Sequence, residues 1–319
     1  MIAGENIPDI PEYVERGSIR VHAPSLVIFI CGGQCASPQD PPISLRDAFM
    51  RVVGRSPLAR YELVLAEDPN IFSPIGEYTE LLAFESDIAQ LTELLLLFSE
   101  SPGSLVELGM FVMDDEVSPK LMVVVDDKNY AKYSFIRLGP LFTLLHRHGD
   151  AAVCVLALAY LNIRNINTVN NINLDALLSV LENPLKQRLN QKREPRTFDK
   201  PRHGHVTKLI TGLVQHYAAL TLDEIEVLLF CLDVTISRAE LKKHIQCAER
   251  FRWMLTKRIG TDVYCAARAT ASRIAIDFNL VPGAPIKDKT RWRSDIRAYW
   301  EKWDRTRFGV ISSALLGTL

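Results

Sequence analysis

Carboxylate side chains follow two apolar runs of this 319-residue sequence. Glu67 and Asp68 come after one run, while Glu100 comes soon after Leu94–Phe98 and Glu107 lies seven residues beyond Glu100. One carboxylate can trap or stabilise an oxocarbenium-like sugar carbon while a second group orients water, as the paired carboxylates of glycosidases do. These residues therefore predict a site for a ribose or a nucleotide, with Glu107 as a catalytic candidate and Asp68 as a residue that holds sugar hydroxyls or activates water.

The stretch around Phe98 predicts how Glu107 is held. Four leucines precede Phe98, an apolar run typical of a strand that is buried on both faces. A tight turn should follow, in which Gly103 can adopt a positive φ, and a helix should then begin near Ser104. Ser104 and Glu107 also have the S-x-x-E spacing of a capping box, so Glu107 is alternatively a helix cap and nothing more.

Backbone amides near these strand ends could hold phosphate. A glycine pair follows the strand predicted at 26–30, and a Ser-Pro-Gly-Ser turn follows Phe98. Ligands of parallel α/β sheets bind at the carboxyl ends of the strands, where turns present free N–H groups. The residues expected to bind the nucleotide are Gly32, Gly33, Glu67, Glu100, Ser101, Gly103, Ser104 and Tyr133.

Glu85 and Tyr133 extend this predicted site. Glu85 lies beside Phe84 on the inward stripe of a helix predicted at about 77–90. A charge there either reaches out to solvent or contacts the sugar from below, as a further catalytic candidate. Tyr133 follows the strand predicted at 121–125 and either stacks on the base or packs under its own loop.

Apolar strands alternate with helical spans in the first half of the chain. The strands are predicted at 26–30, 61–66, 94–98, 121–125 and about 152–158. Strands that alternate with helical spans of about 10–15 residues are typical of a doubly wound, Rossmann-like parallel sheet. The predicted fold class is therefore α/β for this half, followed by a mostly helical domain.

Composition excludes several classes of protein. Hydrophobic residues make up 48% of the sequence and charged residues 24%, and no apolar run approaches the roughly 18 residues of a membrane helix. The acidic N-terminus lacks the basic start and apolar core of a secretion signal. Six scattered cysteines form neither a C-x-x-C pair nor a zinc cluster, which favours a reducing cytoplasm and predicts no metal and no cofactor.

Charge is divided unevenly along the chain. Residues 1–182 hold 12 Lys/Arg and 24 Asp/Glu, whereas residues 183–319 hold 25 and 14. The basic half predicts contact with nucleic acid or with an acidic partner domain. Eight basic residues fall within 183–208, without hydrophobic periodicity, so this stretch is predicted to be a linker that is either solvated or in contact with phosphate.

A winged-helix outline is predicted near the C-terminal end. It consists of helices capped by Thr221 and Ser237, a third helix near Phe251, and a hairpin that turns at Gly260. The residues predicted to contact nucleic acid are Arg193, Arg196, Arg250, Arg252, Lys257 and Arg258. The predicted domains are an N-terminal arm (1–23), the α/β domain (24–160), a connecting helix with a basic linker (161–208), and the winged-helix-like domain with a C-terminal helix (209–319).

Three segments of the α/β domain resemble a known family. FICGG at 29–33, FSESPGSLVELGMF at 98–111 and KLMVVVDDKNYAKYSFIRLGP at 120–140 are similar to the nucleoside deoxyribosyltransferase-like domain of retron-associated toxin effectors. In the deoxyribosyltransferase family proper, a Glu before Leu-Gly attacks the sugar C1′, and the resemblance implies that role for Glu107. It also implies a toxin that is restrained by a retron reverse transcriptase and its DNA–RNA product, msDNA.

Two functions from different classes follow from these patterns. The first is a retron toxin that hydrolyses the base–sugar bond of a nucleotide, with NAD as the leading substrate. The second is a non-catalytic regulator whose α/β domain senses a nucleotide and whose winged helix binds operator DNA. The sequence leaves open the substrate, hydrolysis against base transfer, and whether the chain forms a homo-oligomer or a larger assembly.

Overall fold

The computed structural model describes residues 2, 7, 9–65, 77–191 and 196–317. The strands are β1 (Arg20–Val21), β2 (Val27–Cys31), β3 (Glu62–Leu65), β4 (Leu94–Phe98), β5 (Leu121–Asp126), β6 (Val153–Leu156), β7 (Arg196–Thr197), β8 (Ala219–Thr221), β9 (Met254–Ile259), β10 (Asp262–Ala267) and β11 (Ile276–Asp277). The helices are α1 (Leu45–Val52), α2 (Leu81–Leu91), α3 (Pro102–Met113), α4 (Asp127–Ala131), α5 (Phe142–His148), α6 (Leu174–Asn190), α7 (His203–Tyr217), α8 (Leu222–Cys231), α9 (Arg238–Arg250), α10 (Lys289–Trp303) and α11 (Arg305–Leu316). A π-helical turn at Arg137–Leu141 leads into α5.

The chain divides into two compact units. The sheet unit comprises Leu26–Pro69 and Ile88–Arg193, and the helical unit comprises Met1–Ser25, Asn70–Asp87 and Glu194–Leu319. Helix α2 therefore begins in the helical unit and ends in the sheet unit. No helix in the described part of the chain combines the length and the apolarity that spanning a bilayer requires.

Parallel strands form the core of the sheet unit, in the order β3-β2-β4-β5-β6. The central strands β2 and β4 are paired with each other, and every residue in both is buried. The chain leads from β2 outward to β3 on one side of this pair and from β4 outward to β5 on the other. In sheets of this strand order, ligands bind in the crevice at the carboxyl ends of the two strands where the direction changes, which here are β2 and β4. This crevice is the topological switch point. The predicted parallel α/β sheet is confirmed, with its strands close to their expected positions.

Helix α6 belongs to the core of the sheet unit. Its apolar residues recur every four positions, and Leu177, Leu181 and Leu185 join Phe49 of α1 in one buried cluster. Arg188 near the end of the helix is buried and donates hydrogen bonds to the carbonyls of Pro119 and Leu121, both at 2.8 Å. The stretch 183–208 is thus not a linker throughout, since it contains the end of α6 and the start of α7.

The helical unit contains α7, α8 and α9 with an antiparallel sheet in the order β8-β10-β9. Capping boxes begin α8, with Thr221 and Glu224, and α9, with Ser237 and Glu240, as predicted for the two caps. The prediction of a helix near Phe251 is wrong, because Phe251 is the C-cap of α9 and β9 begins at Met254; the third helix is α7. The hairpin turn at Gly260 is confirmed, with a φ of 61°.

The first residues of the chain also belong to the helical unit. Strand β1 pairs antiparallel with both β7 and β11. Asp9 accepts a hydrogen bond from the Tyr217 hydroxyl at 3.0 Å, so α7 holds the segment before β1. The described part of the predicted N-terminal arm is therefore hydrogen-bonded to the rest of the helical unit.

Candidate active site

The N-cap of helix α3 lies three residues before Ser104, the cap that the Ser104–Glu107 spacing predicts. Its N-cap is Ser101, whose Oγ accepts the Ser104 N–H at 3.2 Å, while Ser104 Oγ accepts the Ser101 N–H at 3.0 Å. Pro102 occupies the first helical position, where its missing N–H costs nothing. The predicted start near Ser104 is wrong for this reason, and Gly103 lies inside the helix rather than in a turn with positive φ.

Glu107 is consequently in the second turn of α3 and is not the partner of a capping box. That role belongs to Ser104, which is buried and forms the reciprocal pair with Ser101. Glu107 borders the buried stripe formed by Ser104, Leu108 and Phe111, is itself half-buried, and has its Oε2 shielded from solvent. The structure removes the helix-cap explanation for this carboxylate.

Glu100 joins the two central strands at the switch point. Its carboxylate accepts backbone N–H groups from Gly33 at 2.9 Å, from Leu45 at 2.5 Å and from Arg46 at 3.0 Å. The last two donors are in the first turn of α1, where the helix dipole favours a negative charge. Burial holds the pKa of this carboxyl above its usual value, although the three N–H donors lower it.

The glycine pair is packed closely around Glu100. A Cβ at Gly33 would lie 2.6 Å from Ser44 Cβ, and one at Gly32 would lie 2.9 Å from Phe98 Cβ. The sequence predicts that the backbone N–H groups of the glycine pair hold phosphate. At Gly33 this prediction is corrected, because its N–H donates to the carboxylate of Glu100 instead. Glu100 has a positioning role here.

Two aspartates at the carboxyl end of β5 were not among the predicted site residues. Asp126 is buried and caps α4, accepting the Asn129 N–H at 3.0 Å. Asp127 is half-buried, and its Oδ1 is shielded from solvent without a hydrogen-bond partner in the described ranges. The Asp-Asp pair directly after an apolar strand was the signal in the sequence that could have identified them.

The other predicted catalytic and nucleotide-binding residues are dispersed. Glu67 and Asp68 lie outside the described residues. Glu85 is only 5% exposed and belongs to the part of α2 in the helical unit, so it does not reach out to solvent. Tyr133 is 88% exposed, which excludes packing under its own loop. Of the predicted set, the structure brings together Gly32, Gly33, Glu100, Ser101 and Ser104.

The described basic residues predicted to contact nucleic acid differ in their exposure and lie on different elements. Arg193 lies outside the described residues, and Arg196 is exposed in β7. Lys257 and Arg258 are adjacent in β9, so their side chains point to opposite faces of the sheet. Arg250 is half-buried at the end of α9, while Arg252 is exposed in the turn before β9 with a φ of 52°.

A family model and a curated relative link this chain to retrons. A family model described as STM3845 retron effector protein matches residues 42–256. A relative from Escherichia coli, whose name provisionally describes a ribosyltransferase/DNA-binding protein of retron Ec86, is 30% identical over 153 residues. That match covers 45% of this chain and 45% of the relative, so the chain matches less than half of the relative's length.

Proposed function

This chain belongs to the STM3845 retron effector family, and from that premise we propose that it is an enzyme that cleaves the base–sugar bond of a nucleotide. Glu107 is the nucleophile. Its carboxylate attacks C1′ as the C1′–N bond breaks, and the base leaves with the bonding electrons. Water then hydrolyses the glycosyl ester, which returns the free carboxylate and releases the sugar.

The observation that carries this proposal is the position of Glu107. Ser101 and Ser104 complete the cap of α3 by themselves, so the fold does not need Glu107 for that purpose. The residue is half-buried on the helix that follows β4, one of the two strands at the switch point. The name of the retron Ec86 relative, which mentions ribosyl transfer, supports the same type of chemistry.

NAD is the leading substrate in this proposal, with other nucleotides and nucleosides as alternatives. Nicotinamide leaves as a neutral molecule, so its departure from NAD requires no proton donor. The protein acts as the toxin of the retron and is held inactive by the reverse transcriptase with its msDNA. The α7–α8–α9 helices and the β9–β10 hairpin serve as a winged-helix module for docking nucleic acid, in keeping with the helix and hairpin order of such modules.

Base release by the purified chain tests the enzymatic proposal. Wild-type protein should release nicotinamide from NAD, or the base from another nucleotide, whereas Glu107→Gln should lose several orders of magnitude in rate. Glu107→Asp is a matched control that keeps the charge, and it should retain more activity than the amide. Turnover by Glu107→Gln at the wild-type rate would contradict the mechanism.

The alternative is a regulator without turnover that senses a nucleotide and binds operator DNA. The same α7–α9 and hairpin arrangement favours it, together with the excess of basic residues after residue 182. A regulator should bind one duplex sequence without a partner, and Glu107→Gln should leave its effect in cells unchanged. A toxin should harm cells when expressed alone and should lose that effect with Glu107→Gln.

A further inference from the structure

Asp126 and Asp127 are adjacent but have different surroundings. Asp126 accepts the Asn129 N–H at 3.0 Å and the Asn129 side-chain amide at 2.6 Å, which satisfies its carboxylate. Asp127 Oδ1 is equally shielded from solvent but accepts no hydrogen bond from any residue in the described ranges. Leaving a buried acceptor without a donor costs about 1–3 kcal/mol, and more for a charged group. The contacts of the fold therefore do not account for Asp127.

Asp127 lies at the same edge of the sheet as the turn that begins α3. The Ser99 N–H donates to the Val124 carbonyl at 2.8 Å, which continues the β4–β5 pairing beyond Phe98. The segments that carry Glu100 and Asp127 thus leave the sheet side by side, on neighbouring strands spaced about 4.8 Å apart. Helix α3, which carries Glu107, packs against both strands.

We propose that Asp127 Oδ1 accepts a hydrogen bond from a hydroxyl group of the substrate's sugar and selects substrates that carry this hydroxyl. This inference rests on the proposed cleavage of a base–sugar bond. A hydroxyl supplies the donor that Oδ1 lacks, and it does so without placing a second charge in a shielded site. A site built to hydrogen-bond a hydroxyl discriminates strongly against the analogue without it, because the buried acceptor then stays unpaired.

The experiment compares sugars that differ by one hydroxyl. Full-length wild-type protein, Asp127→Asn and the control Asp115→Asn, an exposed acid of the same unit, are assayed for base release. The substrates are NAD and adenosine, each with analogues that lack the 2′- or the 3′-hydroxyl of the cleaved riboside. Asp127→Asn should lower kcat/KM on the parent compound about 10- to 100-fold, the loss of one hydrogen bond to a charged group.

On one of the two deoxy analogues, the wild type should itself be slow. The diagnostic result is that Asp127→Asn and the wild type have the same kcat/KM on that analogue. Asp115→Asn should behave as the wild type throughout. An equal loss on all analogues would overturn the assignment, because it would show a general structural effect. A loss that depends on the base, measured with inosine in place of adenosine, would overturn it as well.

Binding separates this inference from the enzymatic proposal. If the wild type releases no base from any compound, the proposed function fails, and calorimetric binding of adenosine and its two deoxy analogues then decides the role of Asp127. Weaker binding of adenosine by Asp127→Asn, without a change for one deoxy analogue, supports the hydrogen bond. Unchanged binding of adenosine refutes it.

Discussion

The carboxylate of Glu100 accepts the Gly33 N–H at 2.9 Å and so connects the turn after β4 with the turn after β2. The same carboxylate holds the first turn of α1 through Leu45 and Arg46. One side chain thus sets the position of two chain segments that border the switch point. A phosphate group would bind such N–H donors in many nucleotide sites, but here a carboxylate of the protein takes its place.

Glu100→Ala should leave these N–H groups around an empty anion site. We expect a loss of about 2–4 kcal/mol in the free energy of unfolding, since buried donors lose their acceptor. Formate in the buffer should restore part of the stability by binding the exposed N–H groups, whereas chloride at the same ionic strength should restore less. Urea unfolding with and without formate measures the recovery of stability. If formate does not stabilise Glu100→Ala, the three N–H groups do not form an anion site that the Glu100 carboxylate fills.

Ser101→Ala should destabilise the protein more than Glu107→Gln does. Ser101 is the N-cap of α3, and removing such a cap costs about 1 kcal/mol. Glu107→Gln keeps the length of the side chain and an acceptor oxygen, so its effect on stability should be smaller. Thermal unfolding of the two variants tests the order; if Glu107→Gln is the less stable one, Glu107 has a structural role.

Alanine should be tolerated at Gly103 and harmful at Gly33. A Cβ at Gly103 has 3.9 Å to its nearest neighbour, Ser101 Oγ, and the residue is helical, so Gly103→Ala should stabilise by up to about 1 kcal/mol. At Gly33 the added Cβ would lie 2.6 Å from Ser44 Cβ and disturb the Glu100 contacts, so stability should fall. Melting temperatures of the matched pair check both directions.

Acidification should destabilise the helical unit through His216. Burial, with smaller contributions from Arg293 and Lys289 and an opposing one from Asp277, lowers the pKa of His216 to about 3. The folded state thus keeps this imidazole neutral while the unfolded state takes up a proton below about pH 6.5. Stability is therefore full above that pH and declines as the pH falls toward 3, by about 2 kcal/mol at pH 5.

His216→Phe should remove the contribution of His216 to this dependence. Neither ring nitrogen of His216 has a hydrogen-bond partner within the described residues, and the ring contacts the rings of Phe278 and Trp292, so a phenyl group suits the site. Urea unfolding at pH 8 and pH 5 should show a smaller decrease for the variant than for the wild type. Identical decreases would mean that other groups control the acid response.

Binding to a DNA–RNA hybrid should depend strongly on salt. Several phosphate contacts would lower the affinity by orders of magnitude between about 50 and 200 mM salt. Arg252→Glu and Arg258→Glu, which alter exposed side chains at the end of α9 and on β9, should weaken binding more than Lys302→Glu, an exposed control on α10. Fluorescence anisotropy measures both effects, and an affinity that salt does not change would exclude this docking mode.

The sequence predicts the strands better than it predicts the contacts around Glu107. The apolar runs before Gly32 and Ser99 were sufficient for the parallel sheet, because burial on both faces leaves a continuous hydrophobic signal. The spacing of Ser104 and Glu107 predicts the wrong start for α3, although Pro102 at the first helical position favours Ser101 as the cap.

Other features depend on contacts that local patterns do not contain. The Glu100 carboxylate accepts hydrogen bonds from N–H groups that precede it by more than 50 residues in the chain, so no spacing rule could predict these contacts. Asp126 is bonded to Asn129, only three residues later, but the shielding of Asp127 Oδ1 from solvent is visible only in the folded chain. The helix predicted near Phe251 does not form, because Phe251 is the C-cap of α9 and its side chain is buried.

Strand β1 has a consequence for how the protein is synthesised. Arg20 pairs with Thr197 and Asp277, so its partners leave the ribosome long after it does. At about 5–20 residues per second, the wait for β11 is on the order of ten to fifty seconds, whereas the last strand of the parallel sheet ends at Leu156. The nascent chain can therefore complete its parallel sheet while β1 is still unpaired. A C-terminal truncation that removes β11 should leave β1 without one of its two partner strands.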